Sequence, residues 1–434
     1  MTDATHRAIS AVWRMEAAKI IAIVARMVRD VGVAEELAQD TLVTALEQWP
    51  EKGVPDNPAA WLVAAAKNRA IDWLRRGKLL ESKHAELGRE IEVQQQIAWD
   101  DALSAADDAG DVGDDLLRLI FTACHPVLPP PARVALTLRL LGGLATDEIA
   151  RAFLVPEPTI AQRIVRAKRT LAEARVPFEV PRKDELTTRL ASVLEVIYLV
   201  FNEGYSATAG DDWMRPALCE EALRLGRIVA ELVPQEPEVH GLVALMEIQA
   251  SRSRARTGPA GEPILLPDQD RSRWDPLLIH RGLAALARAE APGGALGPYA
   301  LQAAIAACHA RAHRAEDTDW ERIAALYDAL AQVAPSPVVE LNRAVALAMA
   351  FGPAAGLELV DALADEPSLK AYHLLPSVRG DLLFKLGRRA EARTEFQRAA
   401  ALTRNARERA LLNARADACE AGGRGDAPGS GRPA

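Results

Sequence analysis

Apolar residues recur at spacings of three and four almost throughout the chain. Near the start, Ile20, Ile23, Val24 and Met27 form one stripe, which predicts a helix over residues 9–30 with Gly32 as its stop. Leu37, Ala38, Thr41, Leu42, Ala45 and Trp49 predict a second helix over residues 34–49. Pro50 is expected to end it, because proline lacks the N–H that would continue the ladder. Residues 51–57 read as loop. Pro58 then suits the first turn of a third helix, which carries Trp61, Leu62, Ala65, Ala66, Ala70 and Trp73 to a basic end at Arg75, Arg76 and Lys78.

A different pattern begins at Leu116. Thr146, Asp147 and Glu148 open a short helix with Ile149, Ala150 and Phe153, and Val155, Pro156 and Glu157 form a turn. Pro158 then starts a longer helix to about residue 174, which completes a helix-turn-helix pattern. Within the longer helix Ile160, Ile164, Ala167 and Leu171 share one side, while Thr159, Gln162, Arg163, Arg166 and Thr170 fall on an adjacent polar side. One stripe can hold the helix down while the other reaches a groove.

From residue 185 to residue 421, helix is expected to follow helix at a recurring interval. Gly380, Leu383, Gly387, Ala392, Phe396 and Ala399 occupy the small and large positions of a tetratricopeptide unit. Ala344, Leu347, Gly356 and Val360 repeat some of these 36 residues earlier, and Ala222 and Pro234 fit the same spacing. Residues 253–275 interrupt the series with Gly, Pro and charged residues, including Asp268-Gln269-Asp270-Arg271 and Trp274-Asp275-Pro276, and read as a structured loop. The Gly- and Pro-rich residues 422–434 read as a flexible tail.

The expected fold class is therefore all-α: two small helical domains over residues 9–78 and 116–178, then a helical-repeat extension over 185–421. Aromatic residues are only 5% of the chain and no convincing strand pair is found. At 434 residues the chain exceeds one hydrophobic core. No apolar stretch approaches a membrane span and no signal-peptide pattern opens the chain, so a cytoplasmic protein is expected. Four widely spaced cysteines, Cys124, Cys219, Cys308 and Cys419, fit reduced, buried thiols.

A net charge of −8 argues against nucleic-acid binding until it is divided along the chain. Residues 79–115 hold eleven acidic residues against Lys83 and Arg89, which predicts an acidic, partly disordered linker. Residues 67–78 and 158–175 each hold five basic residues and one acid. Local clusters decide phosphate binding, so two basic helices survive an acidic average.

The order of these parts resembles the extracytoplasmic-function (ECF) sigma factors of the sigma-70 family, in the subgroup with a tetratricopeptide-like C-terminal domain. Residues 34–41 (Ala-Glu-Glu-Leu-Ala-Gln-Asp-Thr) resemble the segment that contacts the clamp of RNA polymerase. Residues 57–62 (Asn-Pro-Ala-Ala-Trp-Leu) and 67–72 (Lys-Asn-Arg-Ala-Ile-Asp) resemble the segment that melts and reads the −10 element. Residues 146–171 resemble the module that reads the −35 element. Ala161 stands where a polar groove-facing residue is common in that family.

The resemblance implies that Glu36, Leu37, Gln39 and Asp40 bind core RNA polymerase, against a plain solvated helix face as the alternative. Trp61 would stack on a promoter base or sit in the core. Lys67, Arg69 and Arg75 would hold phosphates, and Asn57 and Asn68 would serve as base contacts or helix caps. On the second module Arg163 is the leading base reader, with Thr159 and Gln162 beside it and Arg166 and Lys168 on phosphates.

Promoter DNA and core polymerase are the expected partners, and a protein or peptide partner is expected for the repeats. No cofactor, metal or catalytic role is expected. His309 and His313 have an i, i+4 spacing but no companion ligand. The alternative reading is a helix-turn-helix activator with a helical-repeat sensor domain, which leaves the clamp-like helix and the basic, Trp-containing helix without a role.

Overall fold

The computed structural model describes residues 2–84, 112–153, 155–259 and 261–421. The chain divides into two compact units, residues 1–199 and 200–434.

In the first unit, helix α1 (Thr2–Val28) buries Ile20, Ile23, Val24 and Met27 as one stripe. The break that follows is not made by Gly32. Arg29 takes a positive φ of 55°, and Asp30 caps the next helix by accepting from the backbone N–H groups of Gly32 and Val33 at 2.7 and 3.0 Å. Gly32 therefore lies in the first turn of α2 (Val31–Lys52). Pro50 does not end α2 either. It sits inside the last turn, and the helix closes at Gly53, whose φ of 87° favours glycine and whose N–H donates to the Trp49 carbonyl at 3.0 Å.

Helix α3 (Pro58–His84) packs Leu62, Ala66, Ala70 and Leu74 inward. Buried Trp49 meets Trp61 edge-on, with ring centroids 5.4 Å apart.

Helices α4 (Val112–Ala123), α5 (Pro130–Leu140), α6 (Thr146–Phe153) and α7 (Glu157–Glu173) follow. The residues expected to form the acidic linker are helical at both ends. Residues 79–84 continue α3 and residues 112–115 open α4, while residues 85–111, like the tail 422–434, lie outside the described residues. Asp115 is fully buried and accepts from Arg26 at 3.0 Å and Arg118 at 2.7 Å.

The first unit extends to Leu199, within α8 (Lys183–Tyr205). The early part of α8 is tied to α4 and α5. Arg189 donates to the Phe121 carbonyl at 3.0 Å, Ser192 to the Cys124 carbonyl at 2.6 Å, and buried Arg133 to Ser192 and, at 2.9 Å, to Glu195.

The second unit continues through α9 (Pro216–Leu232), α10 (Pro237–Ser251), α11 (Pro276–Glu290), α12 (Pro298–Arg311) and α13 (Trp320–Val333). It ends with α14 (Pro337–Phe351), α15 (Pro353–Ala362), α16 (Leu374–Lys385), α17 (Arg389–Leu402) and α18 (Ala406–Ala421). Many of these helices open with proline, whose fixed φ suits a first turn and whose missing N–H is not needed there.

The small repeat positions are places of close approach. A Cβ on Gly356 would lie 2.5 Å from the Ala344 carbonyl oxygen, and one on Gly380 would lie 2.9 Å from the Phe396 ring. The described residues are all-α apart from an isolated bridge between Thr257 and Pro263 and a short strand pair that the periodicity does not reveal. Residues Ala209–Gly210 (β1) and Arg404–Asn405 (β2) pair in parallel, and buried Asn405 donates to the Ala207 and Asp212 carbonyls at 3.1 and 2.9 Å. Cys124, Cys219, Cys308 and Cys419 are free and buried.

Candidate functional site

Three helices of the first unit carry the residues singled out from the sequence. On α2, Glu36 and Asp40 are exposed one turn apart and make a small acidic face. Leu37 is not part of that face. It is 7% exposed and belongs to the core. Gln39 is half-buried and turned inward, its Nε2 donating to Glu35 Oε1 at 2.6 Å.

On α3, Asn57 acts as a cap, its Oδ1 accepting from the Ala60 N–H at 3.0 Å. Trp61 is half-buried, with its ring against Trp49, so it both packs and shows a surface. Asn68 and Arg75 share its side of the helix and are exposed. Arg69 flanks that side and is held across to α2, donating to Thr44 Oγ1 at 2.5 Å and lying 4.0 Å from Asp40. Lys67 falls roughly 120° away from Trp61 at 3.6 residues per turn, and is half-buried. Arg75 lies 4.0 Å from Asp72, with both side chains exposed.

On α7, Ile160, Ile164, Ala167 and Leu171 are buried against the rest of the helix-turn-helix. Gln162 and Arg166 are exposed, and Thr159 and Arg163 are half-buried, so the four make one polar stripe. Lys168 is not on it. Nine positions after Thr159 it points roughly 180° away at 3.6 residues per turn. Its ammonium lies 2.5 Å from Glu35 Oε2.

Glu35 lies in the 34–41 segment without a role of its own in the sequence reading, yet it joins the helices. It is 3% exposed and receives Lys168 from α7, Arg139 Nε from α5 at 2.6 Å and Gln39 from its own helix. Asp115 forms a second buried junction, with Arg26 of α1 and Arg118 of α4. Burial pushes the Asp115 pKa upward and the two arginines oppose that shift. Between the junctions runs a cleft of about 680 Å³, whose lining includes Arg26, Arg29, Arg118, Lys168 and Arg175. The only signal for these acids in the sequence is position: Glu35 stands in the same helical row as Ala38 and Leu42.

Among the described residues there is no group of three or more His, Cys, Asp or Glu side chains placed to hold a metal ion. No described helix is long and apolar enough to cross a membrane.

Residues 12–79 match the family Sigma-70 region 2, and residues 118–171 match the family Sigma-70, region 4. Residues 189–290 match a family of unknown function, DUF6596. The chain is 45% identical over 395 residues to "Uncharacterized protein R00370" of Rhizobium meliloti strain 1021, covering 90% of this chain and 91% of that protein. It is 30% identical over 189 residues to "Probable ECF RNA polymerase sigma factor SigI" of Mycobacterium tuberculosis, covering 42% of this chain and 61% of that protein. It is 27% identical over 158 residues to "ECF RNA polymerase sigma factor SigK" of Mycobacterium ulcerans, covering 35% of this chain and 78% of that one. No solved structure matches. With an exposed acidic face on α2, a basic Trp-bearing α3 and a helix-turn-helix in the order of these two sigma regions, the chain belongs to the ECF sigma factors of the sigma-70 family.

Proposed function

We propose that this sigma factor docks on core RNA polymerase through the acidic face of α2, engages the −10 element with α3 and reads the −35 element with α7. The observation that carries this reading is the division of α7. Its apolar stripe is consumed by the module's own core, while Thr159, Gln162, Arg163 and Arg166 are left on one open polar side. Arginine and glutamine offer the paired donors and acceptors that base edges in a major groove require.

On α3, Trp61 offers a partly open ring for an unstacked base, and Asn68, Arg69 and Arg75 lie on or beside that side for sugar and phosphate contacts. Binding energy supplies strand separation, and polymerase performs the chemistry. The helices after Leu199 regulate this activity in cis, through a protein or peptide partner held on the repeat surface.

The test combines the purified chain, core polymerase and a library of promoter DNA. Initiation from a defined subset of promoters with no other sigma factor present is expected. Binding to DNA without initiation would transfer the chain to the activators.

A further inference from the structure

The segment between α10 and α11 gathers three arginines around aromatic rings, none of them within ion-pair distance of a described carboxylate. Arg256 is 7% exposed; its guanidinium lies 3.5 Å from the Tyr205 ring centroid and 5.4 Å from that of Trp213, and it donates to the Tyr205 carbonyl. Arg271 lies 4.8 Å from the Trp274 ring and ties down the end of α12, donating to the His309 and Ala312 carbonyls at 2.5 and 2.7 Å and to Thr318 Oγ1 at 3.1 Å. Arg252 spans the space between them, its guanidinium 5.8 Å from both the Tyr205 and the Trp274 ring.

The difference between the three is in their hydrogen bonds. Arg256 donates to a backbone carbonyl and Arg271 to two carbonyls and Thr318 Oγ1, whereas Arg252 makes no hydrogen bond with a described residue; the Nε atoms of Arg252 and Arg271 are both buried without a partner. Trp274 Nε1 and His309 Nδ1, on residues that neighbour Arg252 and are 5% and 8% exposed, are also buried and unpartnered.

Elsewhere in the same unit arginines meet acids. Arg227 and Arg281 share Glu247, Arg215 pairs with Glu203, and Arg379 with Asp361 and Glu395. Of the nearby carboxylates, Asp317 and Glu316 act on Arg271 from beyond ion-pair distance, Asp270 accepts from Ser272, and Asp275 caps α11 by accepting from Leu277 and Leu278.

Neighbouring cations in a partly desolvated, aromatic setting repel one another, and Arg252 and Arg256 have no acid against them. Burial first, and the charge of Arg252 after it, press the pKa of Arg271 downward against the pull of Asp317 and Glu316; at Arg256 burial, with Arg252 behind it, outweighs Tyr205 and Cys219. A guanidinium with free donors is the side chain best shaped for a planar or tetrahedral oxyanion, and an indole N–H adds a donor that accepts nothing.

We propose that Arg252, backed by Arg256, Arg271 and Trp274, anchors an anion-binding site in the C-terminal unit, and that its ligand is a small molecule bearing a phosphate or carboxylate group. Arg252 grips the oxyanion, and Arg256 and Arg271 supply background charge while holding the walls.

Thermal unfolding of the full chain in inorganic phosphate, in citrate and in sodium chloride of matched ionic strength tests this. Phosphate or citrate is expected to raise the melting temperature saturably, beyond the chloride control. Arg252→Met should weaken that half-saturation at least tenfold while melting no lower than wild type without the anion, because it removes an unpaired charge. Arg252→Lys, which keeps the charge and loses the fork, should fall between them, and exposed Arg273→Met should behave as wild type. No saturable shift with either oxyanion, or an equal shift in wild type and Arg252→Met, overturns the proposal. Arg252 would then be a structural bridge between two rings.

Discussion

Lys168 of α7 places its ammonium 2.5 Å from the carboxylate of Glu35 on α2, so a basic residue of the helix-turn-helix is spent on the helix that carries Glu36 and Asp40. Lys168→Met should therefore cost stability rather than recognition. Glu35 keeps Arg139 and Gln39, so the expected loss is about 1–3 kcal/mol, less than for a buried carboxylate left with no partner. Urea unfolding measures it, alongside −35 binding that should not change in sequence preference. A sequence-independent fall in DNA affinity with unchanged stability would return Lys168 to the phosphate contacts.

Arg163→Ala is expected to behave in the opposite way. Its side chain is half-buried on the polar stripe beside exposed Gln162 and has no described acid within ion-pair distance. Losing one base-reading arginine should weaken −35 recognition by about 1–3 kcal/mol and leave DNA altered at that base little affected. Titration of both DNA sequences distinguishes this from a phosphate contact, for which the loss is the same on each.

Charge reversal at Glu36 and Asp40 together should lower affinity for core polymerase while α7 still binds DNA. Both side chains are exposed, and of the two only Asp40 has a described neighbour, Arg69, at 4.0 Å across open solvent. Surface pairs of that kind contribute about 1 kcal/mol or less, so the fold should survive. Direct binding to core polymerase decides the matter, and unchanged affinity would make this face merely solvated.

These residues show why some of the site was legible in sequence and some was not. The stripes of α1 and α7 follow from spacing alone, since each residue is judged against neighbours one turn away. Counting 3.6 residues per turn also separates Lys168 from Arg163 and Arg166. Glu35 and Asp115 are different. Their arginine partners Arg139 and Arg26 stand 104 and 89 positions away, and before the chain folds the helical row that Glu35 shares with Ala38 and Leu42 is the one hint of burial, with no sign of the partner. The pairing of Ala209–Gly210 with Arg404–Asn405 is likewise too short to leave an alternating pattern. The stops at Gly32 and Pro50 failed because a capping carboxylate at Asp30 and the tolerance of a last helical turn outweighed the local signal.

His309 predicts an acid-sensitive second unit. Its ring is 8% exposed and packs edge-on against Trp320 with centroids 5.1 Å apart. Burial, then Arg252 and Arg271, lower its pKa to about 4. The unfolded chain takes up that proton near pH 6.5, so between the two values the unfolded state binds more protons than the folded one. Stability is then full above about pH 6.5 and declines as pH falls toward 4, by about 3 kcal/mol at most for this one group. Denaturation at pH 7.5 and pH 5 should show the decline in wild type and a smaller one in His309→Gln. Equal declines would place the acid sensitivity elsewhere.

Regulation in cis by the helices of the second unit is best tested by removing them at the right place. A cut at Arg182, where composition suggests a boundary, would strip Arg189, Ser192 and Glu195 from the first unit. Arg133, 7% exposed, would lose both its hydroxyl and its carboxylate partner, a loss on the order of 3 kcal/mol or more for a buried charge. Lower activity in that truncation would report damage and not regulation. A chain ending at Leu199 keeps these contacts and the whole first unit. If the second unit covers the DNA-reading or polymerase-facing helices, residues 1–199 should initiate faster than the full chain at equal concentration. If it holds those helices in a productive arrangement, they should initiate more slowly while circular dichroism and polymerase affinity stay unchanged. Residues 1–199 that fold, bind polymerase and initiate at the full-length rate would remove regulation in cis and leave the second unit a separate interaction to serve.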